Sequence, residues 1–242
     1  MAWSGICSKW CRNWWRNWAE CVNFPSELFP GSWYAVALLP WLAMFGWAVR
    51  RAPWKRLGES SQLHVWLAMI VTLMLLWSMK AGVKPGLDFH LVGATVMTLA
   101  FGPQLAIVGL AVVLAAATFN GAAGWSAYAL NALVMIVVPV LTSHAILHFS
   151  ERRLPNHLFV YLFVAAFLGA SVVVMTMGMT SVSVMLAAGV YPAEYLFSQY
   201  LPYMLLLCFS EGWLSGMAMT LMVIYKPEWV ATFDDSRYLL NK

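Results

Sequence analysis

The feature that most constrains this chain is a succession of apolar segments, each about as long as a membrane-spanning helix, separated by short polar loops. Hydrophobic residues make up 62% of the 242 residues and charged residues only 10%, with a mean hydropathy of +0.73. Soluble domains are about half apolar and about a quarter charged. A span needs roughly 20 apolar residues, so the length allows about six or seven spans. The sequence therefore predicts an all-α integral membrane protein with about seven transmembrane helices.

The apolar segments also predict the orientation of the chain. They cover residues 32–49, 63–79, 91–118, 126–149, 158–188 and 196–225, and the segment 91–118 is expected to form two helices. A basic cluster, Arg50, Arg51, Lys55 and Arg56, follows the first span and should be cytoplasmic. This arrangement puts nine Lys and Arg residues inside and five outside. We expect a multi-pass inner-membrane protein with its amino terminus outside and its carboxyl terminus in the cytoplasm. The modest net charge of +4 does not indicate a nucleic-acid partner.

The segment 91–118 is interrupted by Gly102-Pro103. Proline disfavours helical backbone in the preceding residue and removes a hydrogen-bond donor, so two short helices joined by a tight turn are predicted. Short helices at membrane depth need other protein around them, so this hairpin should be central. Small residues along 106–117 favour close helix packing and are where a helical partner is expected.

The first 21 residues have an unusual composition, with five tryptophans, three basic residues and three cysteines. One hypothesis is an amphipathic helix at the membrane interface, with tryptophans at headgroup depth. In this stretch Cys7 and Cys11 are spaced to hold a soft metal. The alternative is a disordered tail or a mis-assigned start.

The polar loop before the hairpin contains Asp88 and His90 beside otherwise apolar helices. A carboxylate oxygen and an imidazole nitrogen together suit a divalent first-row metal. The alternative for Asp88 is that its carboxylate caps the next helix. These two residues are the first candidates for a binding site.

Other ionisable residues carry weaker signals. An intramembrane carboxylate is costly, so Glu211 is a candidate either for substrate contact or for bonding helix ends. His144 and His148, one turn apart, are more typical of interfacial residues than of metal ligands, and the same holds for His64 and His157. The methionines at 175, 177 and 179 favour packing. The sequence contains no phosphate-binding loop or supported catalytic grouping, so an enzyme is not expected.

Several stretches, in order, resemble a known family. Residues 23–30, Asn-Phe-Pro-Ser-Glu-Leu-Phe-Pro, are similar to its opening His-Ile-Pro-Asp-Gly-Phe-Leu-Pro. Residues 86–93, Gly-Leu-Asp-Phe-His-Leu-Val-Gly, and Phe-Gly-Pro at 101–103 resemble its Gly-His-Leu-Leu-Gly loop and Leu-Gly-Pro turn. Ala-Tyr-Ala-Leu-Asn at 127–131 matches its Ala-Leu-Gly-Ala-Asn, and Glu-Gly at 211–212 with Lys-Pro-Glu at 226–228 match its closing motifs. The chain thus resembles the substrate-binding membrane subunits (S components) of cobalt and nickel energy-coupling-factor ABC transporters, the CbiM/NikM group.

In that family a divalent metal is held outside the membrane by the terminal amine, the second-residue histidine and the loop histidine. The resemblance implies an S-component-like bundle of seven helices over residues 22–229, with 230–242 as a cytoplasmic tail. It implies His90 as the loop histidine and Asn131 as the asparagine beneath it. A membrane coupling (T) subunit and ATP-binding subunits are implied as partners.

The sequence departs from the family pattern at the start of the site. Asn23 stands where the second-residue histidine is found, and 21 residues precede the position of the terminal amine. One hypothesis is that Cys21 supplies a thiolate, which would favour a softer metal. The other is that translation starts at Val22, read from a GTG codon as methionine, which restores the amine in register.

These observations predict a subunit that captures a transition-metal ion, cobalt or nickel before copper or zinc, as substrate and without a covalently bound cofactor. The expected metal ligands are His90, Asp88, Asn23 and Cys21, with support from Asn131 and Glu211. One alternative is an S component for an organic micronutrient, with aromatic residues near the outer loops for stacking. Another is a membrane scaffold that keeps the fold without transporting.

Overall fold

The computed structural model describes Phe24 and residues 28–58, 60–79, 81–82, 88–121 and 124–238, and most of these residues are helical. In chain order the elements are α1 (Gly31–Arg51), α2 (Trp54–Leu57), α3 (Ser60–Ser78), β1 (Ala81–Gly82), β2 (Asp88–Phe89), α4 (Ala94–Phe101), α5 (Pro103–Phe119), α6 (Trp125–Arg153), α7 (Leu158–Ala187), α8 (Ala193–Tyr225), a 3-10 turn (Pro227–Trp229) and α9 (Asp235–Tyr238). The two-residue strands pair antiparallel, Ala81 with Phe89 and Gly82 with Asp88. The predicted all-helical class is confirmed.

Among the residues that the structure describes, five helices are long and apolar enough to cross a membrane, namely α1, α3, α6, α7 and α8, while α5 is a shorter apolar helix of 17 residues. Their outer faces are apolar: the side chains of Leu39, Leu75 and Leu206 are each more than half exposed. Apolar faces of this kind belong in lipid, where the helix satisfies its own backbone hydrogen bonds. The chain is therefore a multi-pass membrane protein, and the number seven for its spans stays a prediction.

The helices run alternately between two ends of the bundle. One end, here the loop end, contains the end of α3, strand β2, the start of α4 and the start of α6. The opposite end, here the strap end, contains the α4–α5 turn, the end of α6 and the segment after α8. That final segment, Pro227 to Tyr238, lies across the strap end and is called the strap.

The hairpin of α4 and α5 forms the centre of the bundle, as predicted. Gly102 has φ +84° and ψ 163°, a conformation open to glycine, and Pro103 begins α5, where its missing amide is not needed. All eight residues of α4 are buried, and so are eleven residues of α5. The proline signal at 102–103 therefore located the turn correctly.

The expectation that residues 106–117 present a small-residue surface to a helical partner is wrong. The structure puts most of α5 inside the bundle. Its small residues there allow helices of the same chain to approach closely. A Cβ atom on Gly109 would lie 2.5 Å from Cε of Met97. Close packing was correctly indicated, but the helices that pack on α5 are α1, α3 and α4 of the same chain.

The long helix α7 runs without a break through Gly178. Gly178 lies in continuous helix, and a Cβ atom there would come within 3.0 Å of the Met204 side chain. Its small size therefore permits close contact between α7 and α8. Wide helical turns occur instead at Tyr161–Leu168 near the start of α7, and before Pro139 in α6 and Pro202 in α8. A wide turn moves the carbonyl away from the proline ring, which would otherwise clash with it.

Candidate functional site

The imidazole of His90 lies at the loop end, between β2 and α4, and is 5% exposed. Its ring packs on the indole of Trp77 from α3, with ring centroids 4.7 Å apart and planes tilted by 46°. The same indole donates a hydrogen bond from Nε1 to the Val92 carbonyl, at 3.3 Å. Two contacts from one buried tryptophan thus fix both the His90 ring and the backbone that follows it.

The hydrogen-bonding of His90 bears on which nitrogen can bind a ligand. Its Nδ1 lies 3.2 Å from the Leu91 carbonyl oxygen. A carbonyl only accepts hydrogen bonds, so this contact favours the tautomer with the proton on Nδ1. In that tautomer the lone pair is on Nε2. Histidine ligands of metals commonly hold one nitrogen proton on a carbonyl and use the other nitrogen for the metal.

Glu211 lies inside the bundle on α8, is 2% exposed, and bonds to the start of α4. Its Oε2 accepts from the amide of Val92 at 2.8 Å, and its Oε1 accepts from the amide of Gly93 at 2.6 Å. Amides at a helix start have no partner within the helix and attract a carboxyl group. The sequence offered two roles for Glu211, contact with substrate or bonding of a helix end. The structure shows the bonding of a helix end. The role of cap, which the sequence offered for Asp88, is filled here by a residue 119 positions away.

Asn131 lies in α6, is 1% exposed, and bonds to the backbone of Phe24 in both directions. Its Oδ1 accepts from the Phe24 amide at 2.9 Å, and its Nδ2 donates to the Phe24 carbonyl at 3.2 Å. The Phe24 ring is itself buried and meets Phe29 edge-on at 5.1 Å. The residue directly after Asn23 is therefore anchored to the bundle interior.

The remaining predicted ligands are less fully described. The backbone of Asp88 in β2 is paired with that of Gly82. Its side chain is not among those that the structure describes. Asn23 and Cys21 lie outside the described residues altogether. Within the described part of the chain, His90, Glu211 and Asn131 are the predicted site residues with defined side-chain contacts.

The other candidate histidines lie at the strap end, where they contact neighbouring side chains or backbone. The rings of His144 and His148 stack with centroids 5.8 Å apart, and Nδ1 of His148 lies 3.6 Å from Oε2 of Glu151. His157 caps α7 by accepting from the Phe159 amide. Among the described residues no group of three or more His, Cys, Asp or Glu side chains is arranged to hold a metal ion.

The methionines of α7 support the packing interpretation. Met177 is buried within the bundle, whereas Met179 points outward and is exposed. Neighbouring methionines therefore do not share a face that could pass an ion along the helix. Trp77, which sequence analysis did not single out, is the main structural partner of His90. Its position at the end of a span, just before the polar loop, was the available signal.

Comparison with known proteins agrees with this architecture. A family model described as "Cobalt uptake substrate-specific transmembrane region" matches residues 23–229. No curated protein sequence matches significantly. A solved structure described as a truncated transition metal transporter is similar with a TM-score of 0.67 and 14% identity, covering 84% of this chain and 99% of that one. A second, described as a transition metal transporter, has a TM-score of 0.65 and 14% identity, covering 91% and 100%.

At 14% identity the two structures show the fold alone. They share it with this chain over nearly their whole length. The family match covers most of the chain and includes the loop of His90, the hairpin turn, Asn131 and Glu211. This protein is a transport component and not an enzyme. The chain belongs to the cobalt uptake substrate-specific transmembrane family, as a membrane component for transition-metal uptake.

Proposed function

We propose that this chain is the substrate-capture subunit of an energy-coupling-factor ABC transporter that takes up a divalent metal ion such as cobalt or nickel. The observation that carries the proposal is the fixed position of His90 between Trp77 and a start of α4 held by Glu211. A ring that is oriented in advance loses little conformational freedom when it binds a metal ion. The ion is the transported substrate of this site.

The ligand set that we propose is the imidazole of His90 with Asp88, Asn23 and a donor from the chain before Asn23. An imidazole with oxygen donors suits borderline divalent metals, whereas a thiolate from Cys21 would shift the preference to softer ions. The anchoring of Phe24 on Asn131 supports a contribution from the residues just before it. Asn131 and Glu211 act on the backbone and are positioning residues.

We further propose that the loop end faces the outside and that the strap end faces the cytoplasm of a cell with an inner membrane. The support is the charge distribution, since the strap end contains Arg50, Arg51, Lys55, Arg56, Arg152, Arg153, Lys226 and Arg237. Basic residues favour the cytoplasmic side. On this orientation a membrane coupling subunit and ATP-binding subunits would meet the strap end, and residues 22–229 form the transporting unit.

The test is the metal content of the chain purified in detergent without chelator and then loaded with cobalt or nickel, measured by mass spectrometry. We expect one ion per chain, its loss in His90→Ala, and its retention in His64→Ala, which removes an exposed histidine at the start of α3. A chain starting with methionine at position 22 should bind more tightly if the terminal amine is a ligand. It should bind more weakly if the Cys21 thiolate is the ligand.

Two outcomes would contradict the proposal. Equal metal content in His90→Ala and the unsubstituted chain would put the ion elsewhere. An unloaded chain in all versions, with cobalt, nickel, copper and zinc tried, would favour an organic substrate or a non-transporting scaffold.

A further inference from the structure

The strap is bonded to the end of α4, the short helix that begins just after His90. The amide of Ala231 donates to the Ala100 carbonyl at 2.8 Å. Both the amide and the hydroxyl of Thr232 donate to the Leu99 carbonyl, at 3.3 Å and 2.8 Å. Three donors from the strap therefore reach two neighbouring carbonyls at the last turn of α4.

These carbonyls need partners because of the hairpin turn. In a continuous helix the Leu99 carbonyl would accept from the amide of residue 103, but that residue is proline and has none. The Ala100 carbonyl would accept from residue 104, which already belongs to the next helix beyond the Gly102 turn. Unpaired buried carbonyls cost about 1–3 kcal/mol each, so the strap completes α4 rather than merely covering it.

The opposite end of α4 is held by the same part of the chain. Glu211, on α8, accepts from the amides of Val92 and Gly93, and α8 leads directly into the strap. Within the described residues the side chains of α4 itself provide no cap at its start. Eight residues are also too few for a helix that is stable alone. The segment from Glu211 to Thr232 therefore forms hydrogen bonds to both ends of α4. The helix between them is about 12 Å long.

The strap has further anchors that define its position. The Thr232 hydroxyl gives its proton to Leu99, so in its 2.7 Å contact with Tyr161 the tyrosine is the donor. Arg237 pairs with Glu151 of α6 at 2.9 Å. The Phe233 and Tyr238 rings stack at 5.3 Å. Burial, followed by the nearby Glu151 charge, raises the pKa of Tyr238 to about 12, so this side chain is neutral at physiological pH.

We propose that the strap is a positioning element of the loop-end site, acting through α4, with Thr232 as the residue that makes the connection. A strap docked on Leu99 and Ala100 fixes α4 along its axis. With α4 fixed along its axis, the amides of Val92 and Gly93 stay bonded to Glu211. The backbone that bears His90 is then fixed as well. Because coupling between two sites is reciprocal, occupancy of the loop-end site and docking of the strap stabilise each other. The metal part of this inference rests on the proposed function.

The first test needs no metal. Hydrogen–deuterium exchange of the full chain in detergent would follow the amides of Val92 and Gly93 in Thr232→Val, which keeps the shape of the side chain but removes its hydroxyl. The variant loses both the hydroxyl bond to Leu99 and the bond accepted from Tyr161, so we expect exchange at these amides to rise by about tenfold and by at least about twofold. The matched control is Thr176→Val on α7, whose hydroxyl bonds within its own helix to Val172. Exchange in α5 should stay the same in both variants.

The second test uses cobalt or nickel and measures the dissociation constant of the same variants. We expect Thr232→Val to weaken binding by about two- to tenfold, and bound metal to slow exchange of the Ala231 and Thr232 amides by a similar factor. Unchanged exchange at Val92 and Gly93 in Thr232→Val would overturn the inference. If the unsubstituted chain binds no metal, the proposed function fails, but the first test still decides whether the strap positions the loop.

Discussion

The loop end and the strap end contain similar polar side chains but use them differently. At the strap end His144, His148 and Glu151 follow one another on α6, and Glu151 pairs with Arg237. At the loop end His90 packs on Trp77, while buried Glu211 and Asn131 bond to backbone groups. The described ionisable side chains of the strap end thus pair with one another. The loop end, with the oriented imidazole of His90, is the better candidate site. On the proposed function, the density of ionisable residues alone would be a poor guide to the site in this bundle.

The strongest test of this comparison is Glu211→Gln. The amide side chain keeps one acceptor oxygen but turns an NH₂ group towards the second backbone amide, so one buried donor loses its partner. We expect metal affinity to fall about 10- to 100-fold, as when a group that supports a metal ligand is lost. We also expect a loss of about 1–3 kcal/mol in the free energy of unfolding. Titration with cobalt or nickel and thermal unfolding would measure both.

The matched control for this variant is Glu194→Gln, which changes an exposed glutamate near the start of α8. It should behave like the unsubstituted chain. Normal metal affinity in Glu211→Gln would show that the start of α4 tolerates loss of its cap, and the role assigned to Glu211 would be wrong.

A smaller effect is expected from Asn131, whose two hydrogen bonds hold Phe24. Asn131→Ala removes both bonds, so metal affinity should fall about tenfold. Asn131→Asp keeps an acceptor for the Phe24 amide but loses the donor to its carbonyl, so its affinity should lie between those of Asn131→Ala and the unsubstituted chain. The order of the three dissociation constants, from isothermal titration, is the measurement. If they were equal, the chain around Asn23 would not take part in the site.

The smallest effect is expected at the strap end, from the double variant His144→Ala with His148→Ala. Because these rings stack on each other at the other end of the bundle, metal stoichiometry at the loop end should not change and affinity should stay within about twofold. Equilibrium dialysis with cobalt or nickel would measure both. A drop in the number of ions bound per chain would mean that the histidine pair is itself a metal site, and the contrast between the two ends would fail.

The sequence predicted features that depend on local chemistry. The turn at Gly102-Pro103 follows from the missing proline amide, and the apolar segments gave the helices of the bundle to within a few residues. The quoted motifs also led to the correct family, because short patterns in the same order survive when overall identity is low.

Features that depend on packing between distant segments were not predictable. Glu211 bonds to residues 118 and 119 positions away, and Thr232 bonds to Leu99 across 133 positions. Nothing in one sequence says which of many backbone groups a buried carboxyl group will meet. The small residues of α5 similarly indicated close packing without saying whether the neighbour was the same chain or another. The wide turns before Pro139 and Pro202 went unpredicted because proline is also compatible with an ordinary kink or helix start.

The complete burial of α4 has a consequence for the surrounding membrane. Helices that face lipid tilt or bend when the hydrocarbon layer becomes thicker or thinner. The exposed apolar faces of α1, α3 and α8 make these helices subject to that adjustment. Helix α4 is surrounded by protein on all sides and is attached at its ends by hydrogen bonds, so it has no lipid contact through which thickness could act. The backbone leading from His90 should therefore keep its geometry in bilayers of different thickness.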